Sequence, residues 1–75
     1  MEKTMTIYIP LLEEGKPTLR GTQGVILGEG CYKVLPTPSY DPEDEIWEFP
    51  PGSVVRCDLE TGYREKKILV AREKV

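Results

Sequence analysis

The chain has no histidine, so the commonest general base and the imidazole metal ligand are both missing. Its nucleophile candidates are Cys31 and Cys57, and neither has a second cysteine beside it at the short spacing of a zinc site. Each lies in a strand-like apolar run and reads as a small buried hydrophobe. Both are expected to be reduced and free of metal, with a single Cys31–Cys57 bridge as the alternative. The carboxylates of Asp41, Glu43, Asp44 and Glu45 are the kind of oxygen ligands a hard cation takes. They lack the spacing and central glycine of a calcium loop and read as a solvated acidic loop. The glycine patterns Gly21-x-x-Gly24 and Gly28-x-Gly30 are followed by no helix whose N-terminus would hold a phosphate. With no base to activate a serine or threonine, the sequence predicts no catalytic residue, no cofactor and no metal site.

The aromatic residues offer a different chemistry, that of recognition. Tyr8, Tyr32, Tyr40, Trp47 and Tyr63 are many for so short a chain. Trp47 and Phe49 are expected to anchor the core, and the tyrosines then lie half-buried or form a binding patch. The partner-binding set predicted here is Tyr8, Tyr32 and Tyr40 with the acidic Asp41, Glu43 and Asp44, which together imply another protein with a basic surface. The alternative is a nucleic-acid-binding barrel that uses Arg20, Arg56, Arg64, Lys66 and Lys67 with Tyr63 as a stacking residue. A formal charge of −3, from 10 basic and 13 acidic residues, weighs against it, because nucleic-acid affinity comes largely from neutralised phosphates.

These side chains must be carried by a very small scaffold. Seventy-five residues allow one domain, 1–75, which buries only about 60% of its unfolded surface. No apolar run approaches the roughly 18 residues of a membrane span, and the first residues lack a signal-peptide core. The expectation is a cytoplasmic protein, monomeric or weakly dimeric, that does not engage a membrane.

The elements follow from alternation and turn chemistry. Met5, Ile7, Ile9 and Leu11 share one face of a first strand, which Pro10 marks as an edge because it cannot donate to a ladder. Glu13 to Pro17 reads as a turn with Gly15 in the left-handed position. Thr18 to Leu27 reads as a strand with a bulge or bend at Gly21–Gly24. Gly28-Glu29-Gly30 is a hairpin loop that returns into Cys31 to Leu35. The proline-punctuated segment Pro36 to Asp44 is the longest irregular stretch. Glu45 to Leu59 then forms an arch: Trp47 and Phe49 point one way, Ile46 and Glu48 the other, and Pro50-Pro51-Gly52 turns the chain into a strand at Ser53 to Cys57. A last strand, Ile68 to Ala71, fades into the charged C-terminal residues. The strand edges at Pro10 and at this fading strand are a second possible route to partners. Five to six short strands and no convincing helix predict an all-β fold, a small, partly open SH3-like barrel.

Two stretches carry a resemblance. Tyr8-Ile9-Pro10-Leu11-Leu12-Glu13-Glu14-Gly15 and Glu45-Ile46-Trp47-Glu48-Phe49-Pro50-Pro51-Gly52-Ser53-Val54-Val55-Arg56-Cys57 resemble a group of small uncharacterised bacterial proteins. That group pairs a PLL-acidic-EG start with a WEF-x-PG-x-VVR segment. The shared motifs are turn and core residues, so the resemblance implies a fold and no activity. Leu19-Arg20-Gly21 stands where the group carries an aromatic residue and an Arg-Pro pair. Pro51 to Arg56 also looks like the turn-then-strand of SH3-like barrels, among them accessory subunits of electron-transfer complexes, and fold analogy of this kind does not carry function.

Overall fold

Period-two burial organises the structure. In the computed structural model, which describes residues 3–12 and 18–75 and only the backbone of Tyr63, Ile7, Ile9 and Leu11 are buried while Tyr8 between them is half-buried. Successive side chains point to opposite faces, so this strand, β1 (Thr4–Leu11), has its inner face on the core and its outer face at the surface. It is followed by β2 (Thr18–Gly28), β3 (Cys31–Val34), β4 (Val54–Thr61) and β5 (Lys67–Lys74), with one 3₁₀ turn at Tyr63–Glu65. The fold is a small all-β barrel of the SH3-like type, built from five strands.

Neighbouring strands pair antiparallel in the order β1-β2-β3-β4-β5. The ring closes through one parallel pair, Tyr8 with Val70, between β1 and β5. The core inside it is formed by Ile7, Ile9, Leu11, Val34, Val55 and Ala71 with Tyr32, Trp47, Phe49 and Cys57. Trp47 is 4% exposed and Phe49 is buried beside it, whereas Ile46 and Glu48 are exposed, so the predicted aromatic anchor is present.

Several expectations are corrected. The bulge falls between Ile26 and Gly28, where Gly28, Glu29 and Gly30 all take positive φ, and not at Gly21–Gly24. Those two glycines serve close packing instead. A methyl group at Gly24 would stand 2.8 Å from Ile7 Cδ1, and one at Gly21 would stand 3.2 Å from Tyr8 Cε2. Pro10 pairs with Leu19 of β2, and on its other side, where β5 does not reach, the edge is covered. The Glu48 amide donates to the Pro10 carbonyl at 2.9 Å, and the Leu12 amide donates to the Ile46 carbonyl at 2.8 Å. Nor does β5 fade: it pairs with β4 from Lys67 through Lys74, and the Val75 amide donates to the Val54 carbonyl. The expected turn Glu13 to Pro17 lies outside the described residues.

Candidate functional site

The sequence-predicted binding residues are distributed over three environments. Tyr32 is a core side chain, 8% exposed, because it lies two residues before the fully buried Val34 on the inner face of β3. Tyr40 is half-buried and stands edge-on to Trp47, with ring centroids 4.7 Å apart. Tyr8 is on the outer face of β1. The three rings therefore make no common patch.

Asp41, Glu43 and Asp44 are exposed. They belong to a tight turn in which the Asp41 carbonyl accepts from the Asp44 and Glu45 amides, and Asp41 Oδ1 accepts from the Glu43 amide at 2.9 Å. Glu45 ends this turn and joins it to the barrel. Its carboxylate accepts from Trp47 Nε1 at 3.0 Å and pairs with the Arg20 guanidinium. The Trp47 hydrogen bond, with the Arg20 contact behind it, holds the Glu45 carboxyl below its ordinary value of 4.5. The acidic loop is thus a fastened turn whose aromatic and charged contacts point back at the barrel.

Cys31 and Cys57 are both free thiols, Cys57 buried and Cys31 partly so. Burial pushes the Cys57 thiol up to about 11, with Asp58 and Cys31 adding to the shift. A protonated thiol of this kind is a poor nucleophile. Among the described residues, no three Cys, Asp or Glu side chains gather as a metal-binding group. No described helix is long and apolar enough to cross a membrane.

The concave surface of the molecule is elsewhere. A groove of about 500 Å³ opens on the outer face of the barrel, lined by Tyr8, Leu19, Gly62, Arg64, Lys66 and Ile68. Register explains how it is assembled. Gly21 is opposite Tyr8 in the β1–β2 ladder, and its missing side chain lets the ring lie across the sheet. Gly62 does the same for Ile68, whose Cδ1 would be 2.8 Å from a methyl group there. Arg64 and Lys66 come from the turn between β4 and β5. Arg64 has φ 59° and Glu65 has φ 61°, a left-handed conformation that side-chain-bearing residues rarely adopt. Such backbone strain concentrates at functional positions.

A second hollow of about 310 Å³ borders the same face, lined by Thr6, Gly21, Gln23, Pro36, Thr37 and Pro38, with Thr22 below. The Thr22 hydroxyl is spoken for, donating to the Leu35 carbonyl at 2.6 Å, and Gln23 Nε2 donates to the Thr6 hydroxyl at 3.0 Å. Of the predicted partner-binding residues, only Tyr8 lines either hollow. Arg64 and Lys66 of the alternative basic set line the groove, while Arg20 is engaged with Glu45, and Lys67 donates to the Thr61 hydroxyl. Leu19 and Ile68 went unnoticed in the sequence. Their place beside Tyr8 depends on the β1–β2 register and on the β1–β5 closure, which no local pattern encodes.

Compared as a whole, the chain matches no known family model, no curated protein and no solved structure.

Proposed function

We propose that this protein is a non-catalytic interaction module of the cytoplasm that docks on another protein through the outer face around Tyr8. The observation that carries the reading is the groove itself. It is an apolar floor of Tyr8, Leu19 and Ile68 kept open by two glycines. A rigid sheet with an aromatic side chain laid flat over a glycine is a preorganised surface, and preorganisation lowers the entropy lost on binding.

The acidic turn takes a different role in this reading. Since Tyr40 and Glu45 are engaged with Trp47, the turn contributes charge at a distance, through Asp41, Glu43 and Asp44, and steers encounter without forming the contact. Nucleic acid is a second reading of the same groove, with Tyr8 as a stacking surface and Arg64 and Lys66 as phosphate contacts.

The test is affinity capture with in-cell crosslinking, comparing the wild-type chain with Tyr8→Ala and with the triple neutralisation Asp41→Asn, Glu43→Gln, Asp44→Asn. A partner lost with Tyr8→Ala and retained by the triple variant is the expected result. The opposite pattern would move the docking surface to the acidic turn. Nuclease-sensitive capture would favour the second reading.

A further inference from the structure

β4 changes neighbours along its length. Its first half pairs with β3, and that ladder ends where Arg56 lies opposite Cys31 and the Cys57 amide donates to the Gly30 carbonyl at 3.1 Å. From Asp58 to Thr61 the strand pairs with β5 on one side, and no described segment pairs with it on the other. This open edge is at neither of the places the sequence marked, Pro10 and the end of β5.

Two hydrogen bonds fix which groups the edge presents. The amide and carbonyl of one residue point to the same side of a strand, and the side alternates along the chain. The Cys57 amide is aimed at β3, whereas the Gly62 amide donates to the Lys66 carbonyl at 2.7 Å, on the β5 side. Leu59 and Thr61 share the parity of Cys57, so each turns one N–H and one C=O away from β5. These groups have no hydrogen-bond partner on that side among the described residues.

The side chains divide between the two faces. Leu59, opposite the half-buried Leu69, continues the inner face past the end of the core and is 64% exposed. Asp58 and Glu60 lie on the outer face. Glu60 is paired with Arg72, while the exposed Asp58 has no ion pair among the described residues.

Charge decides the occupant. A second copy would pair antiparallel about a two-fold axis, with edge-facing residues opposite edge-facing residues. Registers that engage Leu59 then set Asp58 against the second copy's Glu60, or Glu60 against Glu60. Like charges directly opposite are destabilising, and Arg72 balances one carboxylate of the two on each edge. The edge is therefore guarded against its own copy. A lysine or arginine opposite Asp58 would instead form a cross-strand ion pair.

We infer that the Asp58–Thr61 edge of β4 takes up an extended segment of another protein as an added strand, with a basic side chain opposite Asp58 and an apolar one opposite Leu59. The edge spans about 13 Å at ~3.3 Å per residue. Backbone hydrogen bonds to Leu59 and Thr61 supply the affinity, and the basic–apolar alternation supplies the specificity. This is a surface separate from the groove around Tyr8, and it does not rest on that reading.

The experiment is selection of random-sequence octapeptides against the full chain, followed by affinity measurement of the enriched peptides with wild type and Asp58→Lys. Each enriched peptide is also made in two further forms, N-methylated at its odd or at its even residues. One of the two lacks the amides that would pair with the edge, and this comparison needs no change in the protein. Hydrogen exchange of the Leu59 and Thr61 amides is followed with and without peptide. The expected result is enrichment of peptides in which Lys or Arg alternates with large apolar residues, bound about fivefold more weakly by Asp58→Lys. One N-methylated form, and not the other, should bind about tenfold more weakly, and the parent peptide should slow exchange at Leu59 and Thr61. Acidic peptides, or equal binding of both N-methylated forms, would overturn the inference. So would no enrichment, which would leave Asp58 and Glu60 as a guard on an unused edge. Self-association of the chain that protects the same two amides would overturn it in favour of a second copy. Peptides bound without protecting those amides would also overturn it, and the capture experiment with Tyr8→Ala decides the groove reading separately.

Discussion

The Tyr40 ring meets Trp47 edge-on, 4.7 Å between centroids and 64° between planes. An edge-to-face pair of this kind is stabilising beyond the area it buries. It places the middle of the long β3–β4 connection against the one indole of the chain. Glu45 accepts from that indole at 3.0 Å, so the connection is secured to Trp47 by a ring contact and by a hydrogen bond.

Trp47→Ala should therefore cost about 3–5 kcal/mol, comparable to the whole stability expected of a domain this small. Urea unfolding of the variant, followed by far-ultraviolet circular dichroism, measures it. The Tyr40–Trp47 contact should disappear at the same time, leaving the 37–45 segment open to limited proteolysis.

Acid should loosen the same attachment. The Glu45 carboxyl titrates below its ordinary value in the folded state, through the Trp47 hydrogen bond and the Arg20 pair. A depressed folded-state pKa contributes stability above the unfolded value near 4.5, and that contribution is lost as pH falls through the folded one. Glu60, held down by Arg72, behaves in the same sense. Thermal melts of wild type and Glu45→Gln should differ at pH 7 and converge as the pH falls through the lowered folded-state value of the Glu45 carboxyl. A difference that persists at low pH would mean that the substitution acts through packing.

Much of this scaffold is legible in the sequence because it rests on local signals. The alternation around Ile7 and Ile9, the Gly28-Glu29-Gly30 loop and the Pro50-Pro51-Gly52 turn each specify their own segment, and each is found where the pattern puts it. Trp47 and Phe49 were readable as anchors for the same reason. What local pattern could not supply was register. Gly21 and Gly24 looked like points of backbone irregularity, and only the pairing of Tyr8 with Gly21 and of Met5 with Gly24 shows that they make room for side chains of β1. Tyr32 was readable in principle, since its two-residue offset from Val34 already placed it inside. The groove was the least legible part, because it joins β1, β2, β5 and a turn that are far apart along the chain.

The packing role of Gly24 can be measured by a coupled pair of substitutions. Gly24→Ala drives a methyl group to 2.8 Å from Ile7 Cδ1 and 3.1 Å from Tyr32 Cβ, and should cost about 1–3 kcal/mol. Ile7→Val removes that Cδ1 atom at a cost of about 1 kcal/mol. The double variant should be more stable than the sum of the two, with a coupling above about 0.5 kcal/mol. Simple additivity would mean that Gly24→Ala is accommodated by movement elsewhere.

Backbone strain in the β4–β5 turn predicts a stabilising change. Glu65 holds φ at 61°, where glycine meets no steric penalty. Glu65→Gly should raise stability by about 0.5–1 kcal/mol, read as a higher urea midpoint with unchanged slope. A lower midpoint would show that the Glu65 side chain makes up for its backbone.

The two thiols should differ sharply under alkylation. Cys57 is buried, and its thiol is pushed up to about 11, so in the folded protein at pH 8 it should stay unmodified while the partly exposed Cys31 reacts. Peptide mass mapping after a short iodoacetamide pulse distinguishes them. Because the raised value lies above the ordinary 9.0, the folded state holds this proton more tightly, and stability should fall as pH rises from about 9 towards 11.

The single parallel pair that closes the ring has a consequence in time. The β1–β2, β2–β3 and β4–β5 pairings join neighbours along the chain, whereas Tyr8 and Val70 must find each other across almost its whole length. Closing so long a loop costs entropy before any contact repays it, so hairpins come first and the seam forms late in folding. The groove floor straddles that seam, with Tyr8 on one lip and Ile68 on the other. The groove therefore comes into existence only at the last step, and a chain caught in the act of folding does not yet have the surface proposed here for docking.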